Sequence, residues 1–267
     1  MDLQCIDEGR TAEVFAWDDE RVLKLYRAEF PREWADWEAK ITHAVGQGGV
    51  PAPQIFEVLD VDGRRGIVME RVTGPSMIGD LIAHLLSAVK HSRLLAELHA
   101  QMHEQSIPDL PSQHESLRQR IQEARVSPAI QAAALRRLDR LPEGTALCHG
   151  DFHPGNVVLT AHGPRILDWP TAMRGHPLGD VARTSLILRL LEPSPEMSIP
   201  WALRLVRDLF HVTYLRRYRQ LRSVSREAIE VWLLPVAVAR TLENVPYEQK
   251  NLPRFIEKLM IDAEVRV

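Results

Sequence analysis

The stretch His149-Gly150-Asp151-Phe152-His153-Pro154-Gly155-Asn156, followed shortly by Ile166-Leu167-Asp168-Trp169, decides how this chain is read. Asp151 and Asn156 lie on one loop containing glycine and proline. Val157–Thr160 and Arg165–Asp168 read as a short strand pair joined by Ala161-His162-Gly163-Pro164. Such a hairpin brings Asn156 and Asp168 to one end. An amide oxygen and a carboxylate are hard donors of the kind Mg²⁺ takes while keeping waters and phosphate oxygens. Asp151 is then free to accept a proton from a hydroxyl. Base, amide ligand and carboxylate ligand together are what phosphoryl transfer from a nucleotide requires.

Working outward, the first 72 residues read as strands with one helix inserted. Leu3–Asp7, Ala12–Trp17 and Arg21–Tyr26 are β-prone runs, with breaks at Gly9 and at Asp18-Asp19-Glu20. Trp34, Trp37, Ile41 and Val45 give Arg32–Val45 an apolar face at helical spacing. Ile55–Val61 and Gly66–Val72 flank Asp62-Gly63, a turn dipeptide. Lys24 sits in Val22-Leu23-Lys24-Leu25, on the same face as Val22 by strand alternation. Glu38 lies on the following helix, with Glu33 as a rival partner. A lysine held by a helix glutamate can clamp the α- and β-phosphates of a nucleotide, and Gly9 marks a turn that could lie over them.

After Gly74-Pro75 the pattern turns helical. Leu94, Leu95, Leu98 and Met102 form one stripe. Ser127-Pro128 is an N-cap followed by proline at the first helical position. Trp201–Leu221 and Ser225–Glu243 are the longest helical segments, the second with an expected kink at Pro235. A β-rich part of residues 1–72 and a helical part of residues 73–267 make an α+β chain.

The chain has 267 residues, 45% of them hydrophobic, and 33 basic against 36 acidic residues, a net charge of −3. These values suit a globular protein and give no global reason to expect nucleic acid or an acidic membrane surface as partner. Cys5 and Cys148 form neither a disulfide framework nor a zinc motif. No apolar run approaches membrane-spanning length, and the first residues lack a signal-peptide pattern. The expectation is a soluble cytoplasmic protein, monomer or homodimer.

The sequence resembles the aminoglycoside phosphotransferase family, small-molecule kinases with a protein-kinase-like fold. The resemblance spans about residues 1–250 and is strongest in L-C-H-G-D-F-H-P-G-N-V-V-L and I-L-D-W. It extends to V-L-K-L, V-P-A-P, G-I-V-M-E-R-V-T-G and H-P-L-G-D-V-A-R-T. It implies a bilobal fold, with a small antiparallel β N-lobe and a larger, mainly helical C-lobe. It further implies ATP or GTP with Mg²⁺, Asp151 as catalytic base, and Asn156 and Asp168 as metal ligands. Lys24 and Glu38 become the phosphate-anchoring pair, and Glu70 to Val72 the hinge whose backbone meets the adenine, with Met69 behind it. The acceptor implied is a hydroxyl of a small molecule. Three positions depart from protein kinases. Gly9 is a lone glycine in the covering loop, Trp169-Pro170 follows the metal aspartate, and Gly150 replaces the arginine used there for regulation by loop phosphorylation.

Two other readings compete. One is a non-catalytic nucleotide-binding module on the same fold. The other is a metal-dependent hydrolase using His149, Asp151 and His153, which leaves Lys24 and Glu38 without a role. Asp180 reads as a helix N-cap or first-turn carboxylate, with Arg183 as a partner. Arg204, Arg207, Arg216, Arg217, Arg219 and Arg222, with Tyr214 and Tyr218 between them, read as a solvated helix face. The remaining histidines show no ligand spacing. Arg240 and Glu243 are candidates for the acceptor pocket. From Ser223 to Val267, seven acidic residues face six basic ones, a balance of −1 that gives no support to a polycationic acceptor.

Overall fold

The computed structural model describes residues 4–190 and 201–264. Leu3, Arg266 and the other residues outside these ranges, on which parts of the strand and tail-charge expectations fall, are outside the described residues. In chain order the strands and helices begin with β1 (Cys5–Glu8), β2 (Ala12–Ala16), β3 (Arg21–Tyr26), α1 (Glu33–Gln47), β4 (Ile55–Val61) and β5 (Arg64–Glu70). Next come α2 (Met77–Ala83), α3 (Ala88–Met102), α4 (Gln113–Glu123), α5 (Pro128–Leu138), β6 (Ala146–Cys148), β7 (Val157–Thr160) and β8 (Gly163–Ile166). The chain continues through β9 (Met173–Gly175), α6 (Pro177–Leu190), α7 (Trp201–Arg222), α8 (Arg226–Glu230), α9 (Leu233–Arg240) and α10 (Asn251–Glu264). Among the described residues no helix is long and apolar enough to cross a membrane.

The chain forms two compact units, Met1–Gly79 with Pro154–Ala172, and Asp80–His153 with Met173–Val267. The expected division at residue 72 cuts the chain once, whereas these units interleave it. Backbone hydrogen bonds explain why residues 154–172 group with the N-terminal sheet. The Leu159 N–H donates to Pro75 O at 2.9 Å, and the Ile166 N–H to Pro51 O at 2.8 Å. Gly74 permits the close pass beside β7. Its φ is +149°, and a Cβ there would lie 2.2 Å from the Leu159 carbonyl oxygen.

In the first unit an antiparallel sheet runs in the order β1-β2-β3-β5-β4. The β4–β5 turn has Asp62 at φ 50° and Gly63 at φ 79°. Two left-handed residues match the twist of a tight hairpin. Alternation along β3 sends Leu23 and Leu25 into one apolar cluster with Val68, and Tyr26 into another with Ala35, Ala39 and Ile67. The second cluster is where α1 packs, so Lys24, in phase with Tyr26, faces the helix. Trp34, expected on the buried face of α1, is 45% exposed and packs on Phe30 instead. The buried positions are Ala35, Glu38, Ala39, Ile41, Thr42 and Val45, because small alanines let the helix approach the sheet. The β7–β8 turn is shorter than expected, since Gly163 and Pro164 already pair with Thr160 and Leu159.

The second unit is mainly helical. The Ser127 cap is present, its Oγ accepting from the Ile130 N–H at 3.4 Å. The expected kink at Pro235 is instead a break between α8 and α9 at Val231 and Trp232. Proline falls in the first turn of α9, where its missing N–H costs no helix bond. β6 and β9, which no run of alternating residues marks, pair antiparallel on either side of the stretch from His149 to Asp168. On α7, Tyr214 and Tyr218 are fully buried, while Arg217 pairs with Glu97 at 2.6 Å and Arg222 with Glu104 at 3.5 Å.

Candidate active site

In the first unit, Lys24 stands between two carboxylates. Its Nζ donates to Glu38 Oε1 at 2.7 Å and to Asp168 Oδ1 at 3.2 Å. Glu38, and not Glu33, is therefore the helix partner of Lys24. The other oxygen of Glu38 accepts a hydrogen bond from the Tyr26 hydroxyl. With both oxygens engaged and the side chain only 2% exposed, Glu38 is fixed. Burial alone would lower the pKa of the Lys24 ammonium, but Glu38 and Asp168 outweigh it and the net shift is upward. Lys24 is accordingly a permanent cation.

The β7–β8 hairpin does what its spacing predicts. Beyond the Val157–Ile166 pair, the Leu167 N–H donates to Asn156 O at 2.8 Å. This ties Asn156 to the residue next to Asp168. Asp168 lies two residues past the strand, not within it, with φ at 66°. Aspartate tolerates this left-handed conformation better than most residues. Trp169 holds the bend: it is fully buried and its Nε1–H donates to Ile166 O at 2.9 Å. On the other side, the Trp37 Nε1–H donates to Pro170 O at 3.0 Å.

At the end of β5 the Glu70 N–H donates to Gln54 O at 2.8 Å and the Arg71 N–H to Glu20 O at 2.7 Å. The Glu70 carboxylate is occupied by Arg165 at 2.9 Å and by the Gln54 N–H at 3.0 Å. Among the described residues the Val72 N–H makes no backbone hydrogen bond. Gly9 lies in the β1–β2 turn, where its N–H donates to Ala12 O at 2.9 Å. Among the described residues no hydrogen bond ties Gly9 to Lys24, Glu38 or Asp168.

In the second unit, Asp151 is 30% exposed in its side chain. Arg183 Nη2 lies 3.2 Å from its Oδ1, Arg240 Nη1 3.8 Å from the same oxygen, and His153 Nε2 3.7 Å from its Oδ2. Burial would raise its pKa, but His153, Arg183 and Arg240 hold it well below the usual carboxylate range. Asp151 is ionised at neutral pH. His149 turns back on its own loop, its Nδ1 accepting the Asp151 N–H at 3.2 Å.

The loop is anchored by Asp180, the first-turn acidic residue of α6. Its Oδ2 accepts the His149 N–H at 2.7 Å and its Oδ1 the Gly150 N–H at 2.9 Å. Gly150 takes φ at 78°, a conformation that glycine adopts without strain. His99 Nε2 and His103 Nε2 also meet Oδ2, at 3.0 and 3.4 Å. The far ring nitrogens meet the Tyr214 hydroxyl at 2.6 Å and the Tyr218 hydroxyl at 2.8 Å. Arg183 does not bond Asp180 as expected, since its Nη groups go to Glu243 and Asp151. His99 and His103 are four residues apart on one face at the end of α3. That i, i+4 spacing is the signal by which they could have been found.

Among the described residues, His99, His103 and Asp180 form the one His/Asp group whose donor atoms converge closely enough for a cation. Hydrogen bonds already account for its geometry, and the His149-Asp151-His153 cluster is not such a group. Burial lowers the pKa of both histidines, His103 to about 4. Burial would raise Asp180, but the bonds from His103 and His99 outweigh it and keep it ionised. The histidines are therefore neutral donors through Nε2.

A pH dependence of stability follows. His211 is also pulled down, to about 3, by burial first. In the unfolded chain a histidine takes up its proton near ~6.5. Below that pH the unfolded state binds more protons than the folded one, so stability falls with pH down to the folded values. Between pH 7 and 5 the expected loss is about 2 kcal/mol for each of His103 and His211. Urea midpoints at the two pH values measure it.

The phosphotransferase enzyme family (APH) model matches residues 2–226. No curated protein matches the sequence. Among solved structures, a thermostable mutant of aminoglycoside phosphotransferase APH(4)-Ia is similar in its ternary complex with AMP-PNP and hygromycin B. The TM-score is 0.65 at 17% identity, over 99% of this chain and 93% of that one. The amicoumacin kinase hAmiN, in complex with AMP-PNP, Ca²⁺ and Ami, gives 0.60 at 14% identity, over 96% and 87%. A putative fructosamine-3-kinase from Haemophilus somnus 129PT gives 0.65 at 13% identity, over 98% and 90%. These likenesses give the fold: α+β and protein-kinase-like, with an antiparallel N-terminal sheet and a helical C-terminal part.

Proposed function

This chain belongs to the phosphotransferase enzyme family, as a small-molecule kinase, and from that premise we propose that it moves the γ-phosphate of ATP to a hydroxyl of a small molecule. The observation that carries the details is the placement of Lys24 between Glu38 and Asp168, with Asn156 tied to the same hairpin end. Lys24, fixed by Glu38, meets the α- and β-phosphates. The Val72 N–H and the Glu70 backbone, whose side chain is already occupied, meet the adenine. Gly9 lies in the loop over the phosphates. GTP is the alternative donor.

Asn156 and Asp168 offer hard oxygen donors that fit Mg²⁺. When bound, the ion neutralises the phosphates and draws charge from the transferring group. Asp151 orients the acceptor hydroxyl and takes its proton as the oxygen–phosphorus bond forms. The bond from the γ-phosphorus to the bridging oxygen breaks, and its electron pair leaves on the nucleoside diphosphate. AMP-PNP in two of the similar structures, and Ca²⁺ in one, support nucleotide and divalent-cation use.

The test is nucleotide binding with and without Mg²⁺, followed by γ-phosphate transfer across a panel of amino alcohols, sugars, amino-acid derivatives and aminoglycosides. Mg²⁺-dependent ATP binding and transfer to at least one acceptor are expected. Absence of nucleotide binding in the presence of Mg²⁺ would overturn the reading. Binding without transfer or hydrolysis would favour the non-catalytic module.

A further inference from the structure

We propose that Arg183, locked by Glu243, is the positioning residue for Asp151, holding its carboxylate through Oδ1 in the orientation from which it takes the acceptor proton. The proposal rests on Asp151 being the base.

Three elements of the second unit supply the parts: Asp151 from the loop after β6, Arg183 from α6 and Glu243 from just beyond α9. Arg183 forks onto Glu243, Nη1 to Oε1 at 2.7 Å and Nη2 to Oε2 at 3.1 Å. The same Nη2 reaches Asp151 Oδ1 at 3.2 Å. A planar fork held on a carboxylate fixes the direction of its remaining donor in a way a lysine cannot.

Glu243 is itself pinned from two further sides. Its Oε1 accepts from Arg120 at 2.8 Å and its Oε2 from Arg240 at 2.9 Å. Arg240 in turn forks onto Glu248 at 2.7 Å through both Nε and Nη2. Arg240 and Glu248 side chains are 4% and 2% exposed, against 30% for Asp151. The network is rigid at its buried end and presents Asp151 at its open end.

Its charges balance only with Asp151 ionised. Arg120, Arg183 and Arg240 stand against Asp151, Glu243 and Glu248, so 3 − 3 = 0. A second observation separates this arrangement from ordinary packing. The Arg183 Nε–H is buried and has no hydrogen-bond partner among the described residues. Leaving a donor unmet is unfavourable, so the guanidinium is placed for its Nη contacts at the expense of its own satisfaction. Oδ1 faces the two arginines and Oδ2 lies on the His153 side, at 3.7 Å from Nε2.

The experiment compares wild type with Arg183→Ala, Arg183→Lys, Glu243→Gln and Asp151→Asn. Turnover is read with the best acceptor of the panel, or as Mg·ATP hydrolysis with water as acceptor. Nucleotide affinity and the pH profile of kcat/KM are read alongside. Arg183→Ala is expected to lower kcat about tenfold or more, since misplacing a reacting group costs rate and not nucleotide binding. Its acid limb moves to higher pH, because a cation that stabilises ionised Asp151 is gone. Arg183→Lys and Glu243→Gln are expected to lower kcat by less, since a cation still faces Asp151 but its direction is no longer fixed.

An inactive Asp151→Asn beside an Arg183→Ala with wild-type kcat and pH profile would overturn the proposal and leave the base assignment standing. An active Asp151→Asn would overturn the base assignment itself. Should Arg183→Ala fail to fold, Arg183→Lys decides: an unchanged kcat and acid limb would overturn the proposal.

Discussion

Asp151→Asn is expected to cut turnover by about 10²–10⁴-fold, the usual contribution of a positioned acid–base group. Nucleotide affinity should change by less than about twofold, an effect too small to count in free energy. The side chain keeps its shape, so the loop keeps its fold. The amide loses the negative charge that Arg183 and Arg240 face at 3.2 and 3.8 Å, and it cannot take a proton at neutral pH. Binding and turnover should therefore separate. Isothermal titration with AMP-PNP and Mg²⁺ measures the first, and steady-state transfer the second. Equal losses in both would mean that Asp151 holds nucleotide, and the base assignment would fall.

Asp180→Ala is expected to destabilise the protein by about 3–5 kcal/mol, the cost typical of breaking a buried charged cluster by removing one partner. The Asp180 side chain is 1% exposed and receives the His149 and Gly150 N–H groups together with His99 and His103. Removing it leaves donors without an acceptor in a site closed to water. The loop that carries Asp151 loses its anchor at the same time, so turnover should fall in whatever fraction remains folded. Urea unfolding followed by circular dichroism gives the stability change. A loss below about 1 kcal/mol would show that the loop holds its shape without the carboxylate.

Parts of this picture are legible in the sequence because they depend on neighbours a few residues apart. Strand alternation places Lys24 with Tyr26 on the face that α1 covers, and helical spacing puts Glu38 on the buried side of α1. Hairpin geometry ties Asn156 to the residue beside Asp168. The motif also marks the family, which the match over residues 2–226 bears out.

Other parts join residues far apart in the chain. His99 meets Tyr214 across 115 positions, His149 meets Asp180 across 31, and Arg183 meets Glu243 across 60. No local period encodes such a meeting. Trp34 and Pro235 fail for a related reason. Periodicity shows that a helix has an apolar side, but the closeness of the sheet decides that Ala35 and Ala39, not Trp34, take the contact. Proline restricts a helix, but the break falls at Val231 and Trp232, where the chain turns before it.

The sequence by itself determined the residue types of the site, their spacing on hairpin, strand and helix, and the family. Tertiary structure alone decided which carboxylate holds Lys24, what anchors the loop of Asp151, and that Arg183 turns to Glu243 and not to Asp180. The physical reason is range. Backbone periodicity is set by residues two to four positions apart, whereas an ion pair goes to whichever partner the packing of distant elements brings within a few ångströms.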